Sequence, residues 1–294
     1  MKKLLTGSVL VLVMLVALPT LLADSVERMH KEMLYAVVRI RAGNVIGSGT
    51  VLFSAKDKQG AYHTYVLTNH HVVDGLISVK REWNPTLKRR IDQEVLGRPR
   101  VEIFQYVNLS QQVGMVATEA EIVAYDGRED LALLRLRDTE RPAPFVAKLL
   151  PRKEITNVHL YDEIWACGAA MGHAPIITQG HIAYENEIIE NYEYWLGTAL
   201  TIFGNSGGAV FRPSARGYEF IGVPSRIVVS AAFGAPDAIT HMGFFIPISR
   251  VLDFLDRNFY GFIYNPSLTV EACEELRKQQ VAQSLGKVRQ ELNE

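Results

Sequence analysis

The sequence predicts an all-β fold built as barrels or sandwiches, and three observations carry that reading. Short apolar segments of four to eight residues, rich in Val, Ile, Tyr and Thr, recur along the chain between Gly, Asn or Asp. No helical segment long enough to form a layer alternates with them, which disfavours a parallel α/β sheet. The composition is globular: 294 residues, 48% hydrophobic and 21% charged, with 31 basic against 32 acidic residues. Such values exclude a collagen-like, disordered or polytopic membrane protein. A net charge of −1 supplies no global field for polyanions, so no nucleic-acid partner is expected.

Taken in order, residues 1–23 form a leader. Lys2 and Lys3 precede an apolar run from Leu4 to Ala23, interrupted only by Thr6, Gly7, Ser8, Pro19 and Thr20. This reads as a signal peptide or an N-terminal membrane anchor. Leu21 sits where cleavage prefers a small residue, and about 20 apolar residues suffice to span a bilayer, so both readings stand. Either one places the rest of the chain outside the cytoplasm, as a periplasmic, secreted or outward-facing anchored protein.

A short helix is expected over Ser25–Leu34. Strands follow at Ala36–Arg41, Gly49–Ser54, Thr64–Thr68, Val101–Tyr106, Thr118–Ala124 and Leu131–Leu136. The segment Arg141–Lys153, with its prolines, reads as a link to a second set at Val158–Ala166, Ile176–Glu185, Glu193–Thr198, Ala209–Arg212, Phe220–Ile227 and Gly243–Ile248. Lys80–Arg100, with seven basic and three acidic residues, reads as a long loop whose Lys88, Arg89 and Arg90 are solvated. Ile248–Asn258 reads as a closing helix. Residues 265–294 form a polar helical tail with Val281, Leu285, Val288 and Leu292 at three- and four-residue steps. That stripe suits either an assembly helix in an oligomer or a frayed, solvated end.

Three segments each place a group suited to nucleophilic catalysis beside a strand. YVLTNHHVV delivers His71, GREDLALLRL places Asp130, and FGNSGGAVF sets Ser206 in a glycine turn. A serine hydroxyl needs an imidazole to take its proton as it attacks a carbonyl, and a carboxylate must fix the imidazole tautomer. The glycines around Ser206 let the amides of Gly204 and Ser206 converge as an oxyanion hole. In an extended strand His70 and His71 face opposite ways, so only one of them can serve the site; the resemblance described next selects His71 and leaves His70 as a rim residue. Asp74 and Asp126 lack the apolar run that follows Asp130. The remaining histidines show no paired metal spacing, and Cys167 and Cys273 fit neither a disulfide framework nor a metal site, so no metal or organic cofactor is expected.

These segments resemble the trypsin-like serine peptidases, specifically the high-temperature-requirement family. The resemblance runs over roughly Ala36–Phe262 and rests on GSGTVLF at Gly47, TNHHVV at Thr68, DLALLRL at Asp130, GNSGGAV at Gly204, FIGV at Phe220 and GFFIPIS at Gly243. It implies two antiparallel β-barrels, about 36–142 and 154–262, inside a protease domain spanning 30–264, with His71, Asp130 and Ser206 as the triad. It also implies a specificity pocket with a floor at Thr198–Phe203 and walls at Pro224–Ile227 and near Gly243, so that Thr201, Ser225, Arg226 and Ile227 bind substrate. That floor contains no acid, so small or medium apolar residues are expected before the cut in polypeptides presented unfolded or extended. Where the family carries peptide-binding domains this sequence offers only the tail, so no such domain is expected. Asn205 replaces the aspartate of zymogen-activated digestive proteases, so their activation route is not implied. Two other readings share the motifs. One is a latent binding module on the same barrels; the other is a serine esterase, for which Asp237 and His241 supply the right chain order but strand–helix alternation is missing.

Overall fold

The computed structural model describes residues 25–84, 89–230 and 237–291. The predicted leader, Lys88 and Leu292 lie outside them. Among the described residues no helix is long and apolar enough to cross a membrane.

A helix over 25–32 (α1) leads into β1 (Val37–Ala42), β2 (Val45–Lys56) and β3 (Tyr62–Thr68). A single helical turn, α2 (His70–Val73), follows β3. A hairpin of β4 (Ile77–Asn84) and β5 (Arg89–Leu96) then precedes β6 (Arg100–Val107), β7 (Gln111–Asp126) and β8 (Leu131–Leu136). Six of these strands close a barrel in the order β1-β2-β3-β8-β7-β6. The second half holds β9 (Lys148–Leu149), β10 (Glu163–Gly168), β11 (Ile176–Ile189), β12 (Tyr192–Gly197), β13 (Ala209–Ser214), β14 (Gly217–Ser230) and β15 (Asp237–Pro247). Their order is β13-β10-β11-β12-β15-β14-β9, and an added β13–β14 pairing closes the ring. The fold is thus all-β with two barrels, followed by α3 (Ile248–Arg257) and α4 (Val270–Glu291).

Strand alternation explains how the barrels meet. On β1, β3 and β8, one set of side chains, Val38, Ile40, Val66, Ala132 and Leu134, fills the first barrel. The alternate set, Val37, Tyr65, Leu67, Leu131 and Leu133, joins Trp165, Phe211, Phe220 and the apolar face of α3 in a second cluster. Successive side chains point to opposite faces, so a strand buried on both sides reads as a continuous apolar run, as LALLRL does. The link between the halves is bound to each: the Ala147 amide donates to the Val51 carbonyl (2.9 Å) and the Leu150 amide to that of Phe220 (3.1 Å).

The structure departs from the sequence reading in two places. Residues 77–84 and 89–96 form a two-stranded ribbon rather than a loop, paired from Ile77↔Leu96 to Asn84↔Arg89. Its side chains are mostly exposed on both faces, including Val79 and Trp83, so it lacks the alternation that marks a half-buried strand. The strand expected at Val158–Ala166 begins only at Glu163, because residues 158–162 form a turn in which Asp162 accepts the His159 amide (3.1 Å). Helix α4 packs through buried Cys273 and Arg277, whose guanidinium lies 4.2 Å from the Tyr260 ring centroid; Val281 is exposed, and the Leu285, Val288 and Leu292 side chains of the tail stripe lie outside those described.

Helix α3 ties the halves together through Arg250. Its guanidinium donates to the Glu129 carbonyl (3.0 Å) of the first barrel and to the Glu193 carbonyl (2.8 Å) of the second, and it stacks over the rings of Tyr192 and Tyr194. Arg250→Met leaves both carbonyls without that donor. It is expected to lower stability by about 2–4 kcal/mol in urea unfolding; a change under about 0.5 kcal/mol would remove Arg250 as a tie.

Candidate active site

Register brings two of the predicted groups together. Thr68 at the end of β3 faces Ala132 at the start of β8, so the residues that follow β3 and those that precede β8 share one end of the barrel. Asp130 adopts a left-handed backbone (φ 56°), uncommon for a non-glycine residue and typical of functional turns. The Asn69 side-chain amide holds it by donating to its carbonyl (2.8 Å). Its carboxylate accepts three donors: the His71 amide (3.0 Å), His71 Nδ1 (2.9 Å to each oxygen) and Ser225 Oγ (2.6 Å). Burial pushes the carboxyl pKa up, but the His71 and Ser225 hydrogen bonds and the His71 charge outweigh it and hold the group below its ordinary value. A carboxylate facing Nδ1 places the ring hydrogen there in neutral His71 and keeps Nε2 as an acceptor.

The strand-phase expectation for His70 fails, because β3 stops at Thr68 and both histidines lie on α2. His70 is half-buried rather than on the rim, stacked on Tyr125 with ring centroids 5.4 Å apart. Asp126 is committed to its own turn, accepting the amides of Arg128 (2.9 Å) and Glu129 (3.1 Å).

The turn carrying Ser206 is fixed through its carbonyls. Met171 N donates to Phe203 O (2.8 Å), Ser48 Oγ to Gly204 O (2.6 Å), Gly208 N to Asn205 O (2.9 Å) and Ser48 N to Ser206 O (2.8 Å). All four peptide planes are therefore set. Within a planar trans peptide the N–H points opposite to the C=O. The Asn205 and Gly207 amides are used internally, on Ile202 O and Pro224 O, whereas those of Gly204 and Ser206 have no bonded partner among the described residues. Two alternate N–H groups are thus left free for a ligand. Glycine is required here: a Cβ on Gly204 (φ 98°) would lie 2.6 Å from Ala169 O, and one on Gly207 (φ 84°) would lie 2.2 Å from Ser48 O.

His71, Thr201, Ile202, Phe203, Asn205 and Ser206 share a cleft of about 430 Å³ with Pro224–Ile227. Ser206 and His71 are not hydrogen-bonded to each other here; in unliganded sites such bonds commonly tighten only with substrate. Each predicted substrate-binding residue lines the cleft. Ser225, however, spends its hydroxyl on Asp130, and Arg226 turns its guanidinium to Glu190 (2.5 Å) and over the Tyr194 ring. No lining residue is acidic. Asp237 and His241, the esterase candidates, are exposed on β15 and do not line it. Among the described residues no group of three His, Cys, Asp or Glu is placed to hold a metal ion. Cys167 is fully buried, and burial raises its thiol pKa. Sequence reasoning missed Ser48 as a clamp and Ser225 as a third donor on Asp130, since both act across the fold.

A family model described as the trypsin-like peptidase domain matches residues 47–223. Among solved structures, the HtrA-type protease AlgW with tripeptide and its serine-to-alanine variant with tripeptide are similar, each at 20% identity and a TM-score of 0.57 over 80% of this chain. The chain spans 64% of the length of those structures, a likeness of fold. No curated protein matches the sequence.

Two outcomes are expected of the site. Ser48→Ala strips a buried carbonyl and the Ala169 amide, which donates to Ser48 Oγ (2.7 Å), of their shared partner, and should cost about 1–3 kcal/mol in denaturant unfolding. Because the folded Asp130 carboxyl titrates below its ordinary value, its stabilisation is fully present above about pH 4 and is lost as pH falls through the native value. The stability difference between wild type and Asp130→Asn should therefore shrink as pH falls below about pH 4. A difference that stays constant or grows below that pH would contradict the assignment.

Proposed function

The chain belongs to the trypsin-like peptidase family, and from that premise we propose that it is a serine endopeptidase acting outside the cytoplasm on extended polypeptides. The observation that carries the reading is one cleft lined by both Ser206 and a His71 whose Nδ1 is held on Asp130, beside a turn that leaves the Gly204 and Ser206 amides unbonded among the described residues. The HtrA-like motifs and the charged-then-apolar leader support the narrower family and the compartment.

In this mechanism His71 Nε2 takes the Ser206 proton as Oγ attacks the scissile carbonyl. The resulting imidazolium is stabilised by Asp130, which stays ionised. The oxyanion settles on the Gly204 and Ser206 amides, each preorganised by an anchored carbonyl; one such donor is typically worth about 100- to 1000-fold in rate. His71 then gives its proton to the leaving amine, and water, activated by the same ring, hydrolyses the acyl-enzyme.

Substrate pairing has a natural edge. Over Ser225–Ile227 the strand β14 remains beside β15, while its pairing with β13 on the other edge has ended at Gly222. An extended chain can add there as a strand, with the residue before the cut entering an acid-free pocket. A buried lysine or arginine would lose its hydration without a carboxylate in return, so small or medium apolar residues fit best.

Ser206→Ala, His71→Ala and Asp130→Ala should each lower kcat/KM by about 1000-fold or more with the fold intact by circular dichroism. A fluorophosphonate probe should label Ser206 in the wild type; a folded protein that resists the probe would instead support the latent binding module. Cleavage sites in unfolded casein should show small or medium apolar residues before the cut, and a profile led by lysine or arginine would overturn the specificity assignment.

A further inference from the structure

One of the four donors that set the nucleophile turn comes from a segment with little support of its own. The Phe203 carbonyl, whose peptide plane aims the Gly204 amide, is held by Met171 N. Met171 lies in the turn between β10 and β11, in a left-handed conformation (φ 51°) with its side chain largely exposed. A non-glycine residue keeps that conformation only where its surroundings impose it. Within the turn, Gly172 N donates to Ala169 O (2.9 Å) and His173 N to Ala170 O (3.0 Å).

The outside support comes from the other barrel at two points: Ser48 Oγ accepts the Ala169 amide (2.7 Å) where the turn begins, and Arg39 reaches the residue after Met171. Arg39, on β1, donates from Nη1 to the Gly172 carbonyl (2.5 Å) and from Nε to Glu102 (2.5 Å), a carboxylate buried to 2% exposure on β6. Its guanidinium lies 5.0 Å from the Phe104 ring centroid, and Nη2 reaches Met115 Sδ at 3.6 Å. A planar fork held on a buried carboxylate and an aromatic face is a rigid donor. Arg41 and Arg100 also approach Glu102, at 3.1 and 3.6 Å, but neither bonds to the 169–173 turn. We propose that Arg39 is a positioning residue for the oxyanion hole: fixed by Glu102 in the first barrel, it holds the Met171–Gly172 turn of the second so that Met171 N keeps the Phe203 carbonyl, and hence the Gly204 amide, in the orientation that receives the oxyanion.

This assignment rests on the peptidase reading, and its test separates the two. Arg39→Gln should slow fluorophosphonate labelling of Ser206 by about 10- to 100-fold and lower kcat for a peptide substrate by a similar factor, with KM unchanged, since only transition-state stabilisation is lost. Arg41→Gln, which weakens the same Glu102 cluster without touching the turn, should stay within about twofold of wild type. If Arg39→Gln does not fold, Arg39→Lys keeps a cation beside Glu102 but not the fork that spans carboxylate and carbonyl, and the same loss is expected of it. Wild-type labelling rates in the folded Arg39 variant, or equal losses in the Arg39 and Arg41 variants, would overturn the positioning role alone. A wild-type protein that is never labelled would overturn the peptidase reading and this assignment with it.

Discussion

Burial of β1, β3 and β8 on both faces is the constraint from which the rest of the molecule follows. Each of these strands gives alternate side chains to the interior of the first barrel and to the cluster shared with the second. A strand bound by two cores has no freedom to slip, because a one-residue shift would move Leu67 and Leu133 into the space of Val66 and Leu134. The ends of β3 and β8 are therefore fixed in space, and with them His71 and Asp130. Precision at the site is inherited from packing several residues away.

The turn carrying Ser206 is governed differently. Its shape comes from anchored carbonyls, held by Ser48 from the first barrel, by Met171 from the turn between β10 and β11, and by Gly208 from within. Ser48 contributes twice, through its amide and its hydroxyl. The glycines allow these approaches at distances a Cβ would forbid. The first barrel thus shapes the Ser206 turn of the second as well as carrying the paired His71 and Asp130.

What could be read from the sequence divides along the same line. Strands with a clear apolar pattern, such as Leu131–Leu136 and Thr64–Thr68, announce themselves, and the three motif segments come to one cleft in the fold. The β4–β5 ribbon could not be read, since a strand exposed on both faces has no periodicity to find. The helical turn at His70–Val73 was hidden because four residues are too few to show a period. Ser48, Ser225 and Arg39 look like ordinary strand residues; the partners that distinguish them lie 63 to 156 positions away, from Glu102 on Arg39 to Gly204 on Ser48. Long-range hydrogen bonds leave no local trace in a sequence.

The tethered link between the barrels bears on where the chain is open to proteolysis. A proline-containing connector between two halves is a usual place for a nick. Here that connector is stitched to Val51 on one side and Phe220 on the other, and the cluster beneath it belongs to both halves. Separating the barrels would expose that shared core, so loosening the Ala147–Leu150 stretch is coupled to loss of packing in both halves. Cleavage there then follows the stability of the packed core rather than the fraying of a free linker.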